Sequence, residues 1–302
     1  MEPAYSVTEG ILIGLAQIEP RLGERERNLD ACLGHVEEAA AAGCDLVVLP
    51  ECATSGYMFA SAEKAARAAE EIPGPSVEAL ADACRRLGVH CVAGLLERDG
   101  DVIRNTAVFV GPSGLVGRYR KTHLPFLGAD RFVTPGDEAP AVYDTPVGRI
   151  GMEICYELRF PELTRSLALR GAEIVVHPTN WPSPVRPFAD FLTRARAAEN
   201  RIFLATANRV GREEGVEFFG RSQVVDPTGT RRVEAAEGRE ELATARIDPA
   251  DAREKSHALV PGEYEVHLFG DRRPELYAAL VEQRESVNAR EGGTRWRRPT
   301  RA

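Results

Sequence analysis

The sequence predicts an α/β fold built as one domain. Between Ile11 and Pro50 a strand, a helix and a second strand follow one another, and short apolar runs keep alternating with amphipathic helices as far as Ile247. No internal repeat or linker splits that body. With 302 residues the chain is long enough to bury a large core.

The elements follow in order. Ile11 to Ile18 is an apolar strand, and across Glu24 to Ala42 the residues Leu29, Cys32, Leu33, Val36 and Ala40 recur at helical spacing. Gly43 stops that helix, and Leu46-Val47-Val48-Leu49 is a strand closed by Pro50, so the unit implies parallel pairing with a right-handed crossover. Ser76 to Leu87 is an amphipathic helix ended by Gly88. Val89 to Leu96 turns at Asp99-Gly100 into Ile103 to Val110, and Ser113-Gly114 turns into Leu115 to Arg120. Thr122 to Pro140 is polar, bears Pro and Gly, and is long for a connection, which favours an active-site loop. Ala141 to Tyr143 and Arg149 to Ile154 are strands, and Pro161 opens a helix to about Arg170. Glu173 to Val176 is a strand that exits through His177-Pro178, followed by a helix over Phe188 to Glu199 and a strand over Ile202 to Ala207. Ser222 to Val225 pairs with Arg232 to Ala236, and Leu242 to Ile247 is the last strand. The expected domain covers 9–277, within which 248–280 is a C-terminal arm lying on the body or on a partner. A basic, flexible tail occupies 281–302, with Arg290, Arg295, Arg297, Arg298 and Arg301.

Composition narrows the function. A net charge of −8 disfavours nucleic acid or an anionic membrane as partner, and no apolar run approaches a membrane span. Met1 to Gly10 lacks a basic-then-apolar signal pattern, so a cytoplasmic location is expected. Six cysteines without a CxxC pair read as reduced thiols, not as a disulfide framework or zinc site.

Chemistry concentrates where a strand gives way to a tight turn and then a helix, at Cys155. That geometry pushes a side chain out at the end of a sheet, near backbone N–H groups able to bind an oxyanion. A lone cysteine is ordinarily inert packing. Here Glu157 and Arg159 are poor company for a core thiol, which makes Cys155 the nucleophile candidate. Glu51 and Lys121 also follow predicted strands directly, and groups at the carboxyl ends of strands converge on one crevice. Taken singly, Glu51 caps a turn and Lys121 is a surface charge. Together with a thiol they form a coherent set: a carboxylate takes the thiol proton, and an ammonium lowers the thiol's pKa and stabilises the oxyanion. A cysteine–histidine pair would need His123 or His177, and neither stands in a papain-like signature.

Three stretches, Leu49-Pro50-Glu51-Cys52-Ala53-Thr54-Ser55-Gly56-Tyr57, Tyr119-Arg120-Lys121-Thr122-His123-Leu124-Pro125 and Gly151-Met152-Glu153-Ile154-Cys155-Tyr156-Glu157-Leu158-Arg159-Phe160-Pro161-Glu162, resemble the signature blocks of the carbon–nitrogen hydrolases, the nitrilase superfamily. Supporting blocks match at Arg194 to Asn200, Ala207-Asn208, Gly220-Arg221-Ser222 and Arg273 to Tyr277, so the resemblance runs from about Ile11 to Tyr277. It implies a four-layer αββα sandwich with Glu51 as general base, Lys121 as stabiliser of the tetrahedral intermediate and Cys155 as nucleophile. It also implies oxyanion binding by Lys121 and the backbone N–H of Tyr156, a homodimer or larger assembly, and neither metal nor organic cofactor. The expected reaction is hydrolysis of a small amide or carbamoyl amide, through a thioester, to a carboxylate and ammonia or an amine.

Two departures from the resemblance stand out. Many members carry a fourth catalytic Glu six positions before the Pro-Gly that closes the post-lysine loop; counting back from Pro135-Gly136 gives Ala129, with Asp130 beside it. Either Asp130 substitutes with a one-residue shift or this branch works without the group. The other is Glu157, where amidase branches commonly have Asp. For the substrate, Leu158 occupies the position of the carboxylate-binding Arg of N-carbamoyl-amino-acid hydrolases, and Arg159 reads as structural. Tyr57, Trp181 and the 122–140 loop are candidate pocket walls, with packing the other reading of Trp181. The run after Cys155 resembles amidase branches, whereas nitrile-specific members tend to place Trp-Glu after the nucleophile. The alternatives are a nitrile hydrolase with the same Glu-Lys-Cys set, a non-catalytic binding or scaffold member, and a redox-sensing thiol protein without a nearby resolving cysteine.

Overall fold

A computed structural model describes residues 10–282. The body consists of β1 (Ile11–Gln17), α1 (Arg25–Ala41), β2 (Leu46–Val48), α2 (Ala62–Ala68), α3 (Pro75–Leu87), β3 (His90–Asp99), β4 (Val102–Gly111), β5 (Gly114–Arg120), β6 (Val142–Thr145), β7 (Gly148–Met152), α4 (Pro161–Leu169), β8 (Ile174–Thr179), α5 (Thr193–Asn200), β9 (Phe203–Asn208), β10 (Val210–Glu213), β11 (Val216–Phe219), β12 (Gln223–Val225), β13 (Arg231–Glu234) and β14 (Glu241–Ile247). Two six-stranded sheets form, one ordered β14-β1-β2-β3-β4-β5 and the other β13-β12-β9-β8-β7-β6.

The two sheets face each other through β1, β2 and β3 against β8 and β9. Helices α1 and α3 cover the outside of the first sheet, and α4 and α5 the outside of the second. This is the αββα sandwich. Its logic is visible in the burial: β2, β8 and β9 are buried at every residue, as strands covered on both faces must be. By contrast α3 buries Val77, Leu80, Ala81 and Cys84 on one stripe. That stripe meets Val36 and Ala39 of α1 and Val47, Ala93 and Val110 of the sheet in one apolar cluster.

Strand direction fixes where the chemistry can lie. In the first sheet β2 runs parallel to β3, and β5 returns to the same sense after the antiparallel β4. The residues that leave β2 and β5 therefore emerge at one edge. In the second sheet β7, β8 and β9 are mutually parallel.

Several boundaries differ from the sequence reading. Strand β7 ends at Met152, two residues early, because Glu153 and Ile154 bend away to begin the elbow. Strand β8 continues through His177 and Pro178 to Thr179, since pairing with β9 persists to Asn208. The helix expected from Phe188 opens with a π-helical turn over Phe188–Leu192 before α5. Helix α2 and the β10–β11 hairpin were not legible, being short and weakly periodic. Residues 248–255, expected to begin the arm, belong to the body: Asp248 caps the turn Pro249–Ala252, Arg253 pairs with Glu173 at 2.5 Å, and Lys255 Nζ donates to the carbonyls of Asn200 and Arg201.

From Ser256 the chain forms a separate unit. It holds the hairpin β15 (Ser256–Val260) and β16 (Tyr264–His267) and two short 3-10 turns, Pro274–Leu276 and Ala278–Leu280. The basic tail falls outside the described residues from 283 on. No described helix is long and apolar enough to cross a membrane. The six cysteines are free and buried.

Candidate active site

Glu51 follows β2 in a turn laid directly on β3. Gly94 makes that approach possible: a Cβ there would stand 2.5 Å from Glu51 Cα and 2.6 Å from Cys52 N. The backbone is tied down by Ala53 N–H to Gly94 O at 2.8 Å. Lys121 follows β5, with its N–H on Asn105 O at 2.8 Å.

The loop after Lys121 returns at Gly128–Arg131, a 3-10 turn whose Ala129 N–H donates to Tyr57 O at 2.7 Å. Gly128, at φ +51°, rests on the Tyr57 ring, where a Cβ would come within 2.6 Å. That contact places Asp130 beside the lysine. The shift of one residue weighed in the sequence is therefore geometrically available.

The side chains meet in one buried network. Lys121 Nζ donates to Glu51 Oε1 at 2.7 Å and to Asp130 Oδ2 at 2.6 Å, with all three side chains out of solvent. Asn105 Nδ2 bridges the same two carboxylates, at 2.7 Å to Glu51 Oε1 and 2.8 Å to Asp130 Oδ1. The Tyr57 hydroxyl donates to Asp130 Oδ2 at 2.8 Å. Asn105 was missed in the sequence, although an Asn within the apolar run Ile103 to Val110 was a signal: a buried polar side chain needs partners. Tyr57 is itself fixed by Glu213, whose Oε2 accepts the N–H groups of Tyr57 and Met58 while its Oε1 pairs with the fully buried Arg209.

Cys155 caps β7 with φ +51°, a left-handed conformation that a non-glycine residue adopts only under constraint. Its thiol lies beside the Thr179 hydroxyl and the Asn180 N–H and interacts with both Glu51 and Lys121. Burial and then the Glu51 carboxylate push the thiol above its ordinary range, and the pull of Lys121 does not reverse this. The lysine alone therefore leaves the resting group a thiol. This corrects the simpler view that Lys121 makes it a thiolate, and it removes the low-pKa character a redox sensor needs.

Burial pulls the Lys121 ammonium down, but Asp130 and Glu51 more than offset it and hold it well above the usual range. Burial also pushes Glu51 up; Lys121 opposes this and Asp130 adds to it, leaving Glu51 raised. Around the thiol, Glu51 Oε2, Thr179 Oγ1 and both ends of the Asn180 amide are buried without hydrogen-bond partners. Cys52, by contrast, is fully buried and its Sγ faces Asn105 Oδ1 at 3.9 Å.

Glu157 serves the scaffold. Its Oε2 accepts Ile154 N–H at 2.9 Å, and its Oε1 accepts from Tyr119 OH, Thr122 N–H and Thr122 Oγ1, each at 2.8 Å. It thus ties the post-lysine loop to the elbow. Burial would raise its pKa, yet the bonds from His123, Ile154, Thr122 and Tyr119 hold it below the usual carboxylate range. Arg196 clamps the other side, donating to the carbonyls of Leu158 and Arg159.

Asn208 binds Trp181 N–H and Gly220 O, each at 2.8 Å. Trp181 is buried against His177, Phe188 and Phe219. Of the two histidines considered as thiol partners, His177 addresses the Cys155 carbonyl at 3.0 Å, and His123 stacks on Phe160 at 4.0 Å between ring centroids.

Comparison with known proteins agrees with this architecture. The profile of the carbon-nitrogen hydrolase family matches residues 12–256. A nitrilase of Pyrococcus abyssi is 38% identical over 88% of this chain and 99% of its own length. An omega-amidase of Homo sapiens is 32% identical, covering 85% of this chain and 93% of that protein. Among solved structures, an amidase from Nesterenkonia sp. superimposes with a TM-score of 0.75 at 26% identity, over 91% of this chain and 98% of its own. Its sequence, its sandwich and these relatives together make this chain a member of the carbon–nitrogen hydrolase family, an enzyme acting on C–N bonds.

Proposed function

We propose that the protein hydrolyses a small amide through a thioester on Cys155. The observation that carries this reading is the Lys121 ammonium bridging Glu51 and Asp130 while Glu51 Oε2, beside the thiol, has no partner. A buried carboxylate with a free oxygen is a general base in waiting, and a buried ammonium is an oxyanion donor.

Because the thiol rests protonated, Glu51 takes its proton as Sγ bonds to the amide carbon. The oxyanion is held by Lys121 Nζ and the Tyr156 N–H. The C–N bond then breaks as Glu51 passes that proton to the leaving nitrogen, releasing ammonia or an amine. Water attacks the thioester, Glu51 accepts its proton, and the carboxylate departs as the proton returns to sulfur. The unpartnered Thr179 and Asn180 groups supply hydrogen-bonding capacity for the amide. Asp130 keeps Lys121 charged and in place.

Amides are favoured as substrate because an amide carbonyl oxygen becomes the anion that Lys121 can hold. Relatives named amidase support this, including an (R)-stereoselective amidase of Pseudomonas at 37% identity. In the Nesterenkonia amidase the acetamide moiety of fluoroacetamide adds covalently at the active-site cysteine. The Pyrococcus relative's name keeps nitriles as the second reading. The enzyme works in the cytoplasm as a homodimer or larger assembly, a reading supported by exposed Leu259, Tyr264, Leu276 and Leu280 in the unit after Ser256.

The deciding experiment incubates the protein with matched amides and nitriles of one carbon skeleton, reading ammonia release and intact mass. Turnover of amides with an acyl adduct on Cys155, lost in Cys155→Ala and kept in Cys52→Ala, is expected. An adduct on Cys52, full activity in Cys155→Ala, or faster nitrile turnover overturns the corresponding part.

A further inference from the structure

The mechanism above uses the Tyr156 N–H but does not say what aims it. In a trans peptide the C=O and N–H of one unit are coplanar and point in opposite directions. The carbonyl of Cys155 and the N–H of Tyr156 belong to one such unit, and the peptide is not among the cis bonds of the chain. Whatever holds the carbonyl therefore dictates where the N–H points.

His177 holds it. Its Nε2 lies 3.0 Å from Cys155 O, and a carbonyl oxygen only accepts, so Nε2 carries the hydrogen. Nδ1 must then accept, and the Thr206 hydroxyl is 3.2 Å away to donate. The ring is fully buried at the end of β8, with Trp181 packed on it at 5.2 Å between centroids. Both ring nitrogens are thus committed, and burial keeps the imidazole neutral with a pKa lowered to about 4. The side chain points to the peptide and not to sulfur, so it takes no part as a base.

Building on the proposed thioester chemistry, we propose that His177 is a positioning residue, locking the Cys155–Tyr156 peptide from behind so that the Tyr156 N–H faces the developing oxyanion. Cys155 has φ +51°, a conformation that does not maintain itself, so an external tether is needed. Thr206, on the neighbouring strand β9, sets the tautomer and makes the tether a two-step relay from β9 to the elbow.

The test compares full-length wild type with His177→Leu, His177→Gln and Thr206→Val. Two readouts are taken: amide turnover, and iodoacetamide alkylation of Cys155, a displacement that forms no oxyanion. Removing an oxyanion donor costs about 10²–10³ in rate, and misaiming one costs less. His177→Leu should lose about 10- to 100-fold in kcat with KM changed less than about threefold, and alkylation should stay within about threefold.

Gln, whose Nε2 can reach the same carbonyl, should recover most of that loss. Thr206→Val should fall several-fold in kcat, and it carries the test if the Leu variant does not fold. The inference is overturned if alkylation falls in step with kcat, if Gln is as impaired as Leu, or if Thr206→Val and His177→Gln are both like wild type while Leu is also unimpaired. Absence of amide turnover in wild type would instead refute the proposed function, leaving the two failures distinguishable.

Discussion

Asp130→Asn is the sharpest probe of the buried network. The carboxylate accepts three donors, Lys121 Nζ and Tyr57 OH on Oδ2 and Asn105 Nδ2 on Oδ1, and is 1% exposed. The amide is nearly isosteric, so shape is preserved. Its oxygen can serve Lys121 and Tyr57, but its NH₂ then confronts Asn105 Nδ2, donor against donor. Rotating Asn105 to relieve this would take a donor from Glu51 Oε1. One charge-assisted bond is worth about 1.5–3 kcal/mol, so kcat should fall by about 10- to 150-fold. A second consequence concerns pH. The Asp130 charge helps raise Glu51, and Glu51 must be ionised to act, so its removal should move the acid limb of the rate profile to lower pH. The assay is kcat by ammonia release from pH 4 to 9, with circular dichroism confirming the fold. A near-normal rate with an unmoved acid limb would refute the reasoning and return Asp130 to a loop charge.

Other outcomes follow from buried groups. Glu153 is fully buried, its Oε2 accepting from Thr164 and its Oε1 unpartnered, and burial raises it to about 8. Between its unfolded pKa near 4.5 and about 8 the folded state binds the extra proton, so this group's contribution to stability falls as pH rises through that window. Glu153→Gln, which mimics the protonated form, should raise stability by about 1–3 kcal/mol at pH 8 and little at pH 4.5, read by thermal melts; an equal gain at both pH values would contradict the argument. Gly94→Ala places a Cβ against backbone at Glu51 and Cys52, so it should lower the melting temperature and depress kcat together. A variant with wild-type kcat would mean that Glu51's position does not depend on that contact. Glu157→Gln replaces an anionic acceptor of at least four close bonds and should cost about 1.5–3 kcal/mol in denaturant unfolding; no change in stability would deny Glu157 its scaffold role.

Much was legible in the chain because local rules and global fold agree. The βαβ start, the strand–turn–helix around Cys155 and the hairpin at Asp99-Gly100 follow from periodicity and turn residues, which act over a few positions. The errors lie where pairing partners distant in sequence extend or cut an element. Strand β8 runs through His177-Pro178 because β9 offers a ladder there, and β7 stops early because the elbow needs Glu153 and Ile154.

By itself, then, the sequence determined the order of elements and the residue types available for chemistry, Glu51, Lys121 and Cys155 at three strand ends. Only the tertiary structure decided how those groups are charged and aimed. Asn105, Tyr57 and Asp130 close around Lys121 from separations of 9 to 73 residues, and His177 reaches Cys155 O across 22. The thiol's protonation depends on burial and on Glu51 and Lys121 brought beside it by two sheets. No local pattern encodes such facts, because desolvation and Coulomb interaction depend on distance in space and not along the chain.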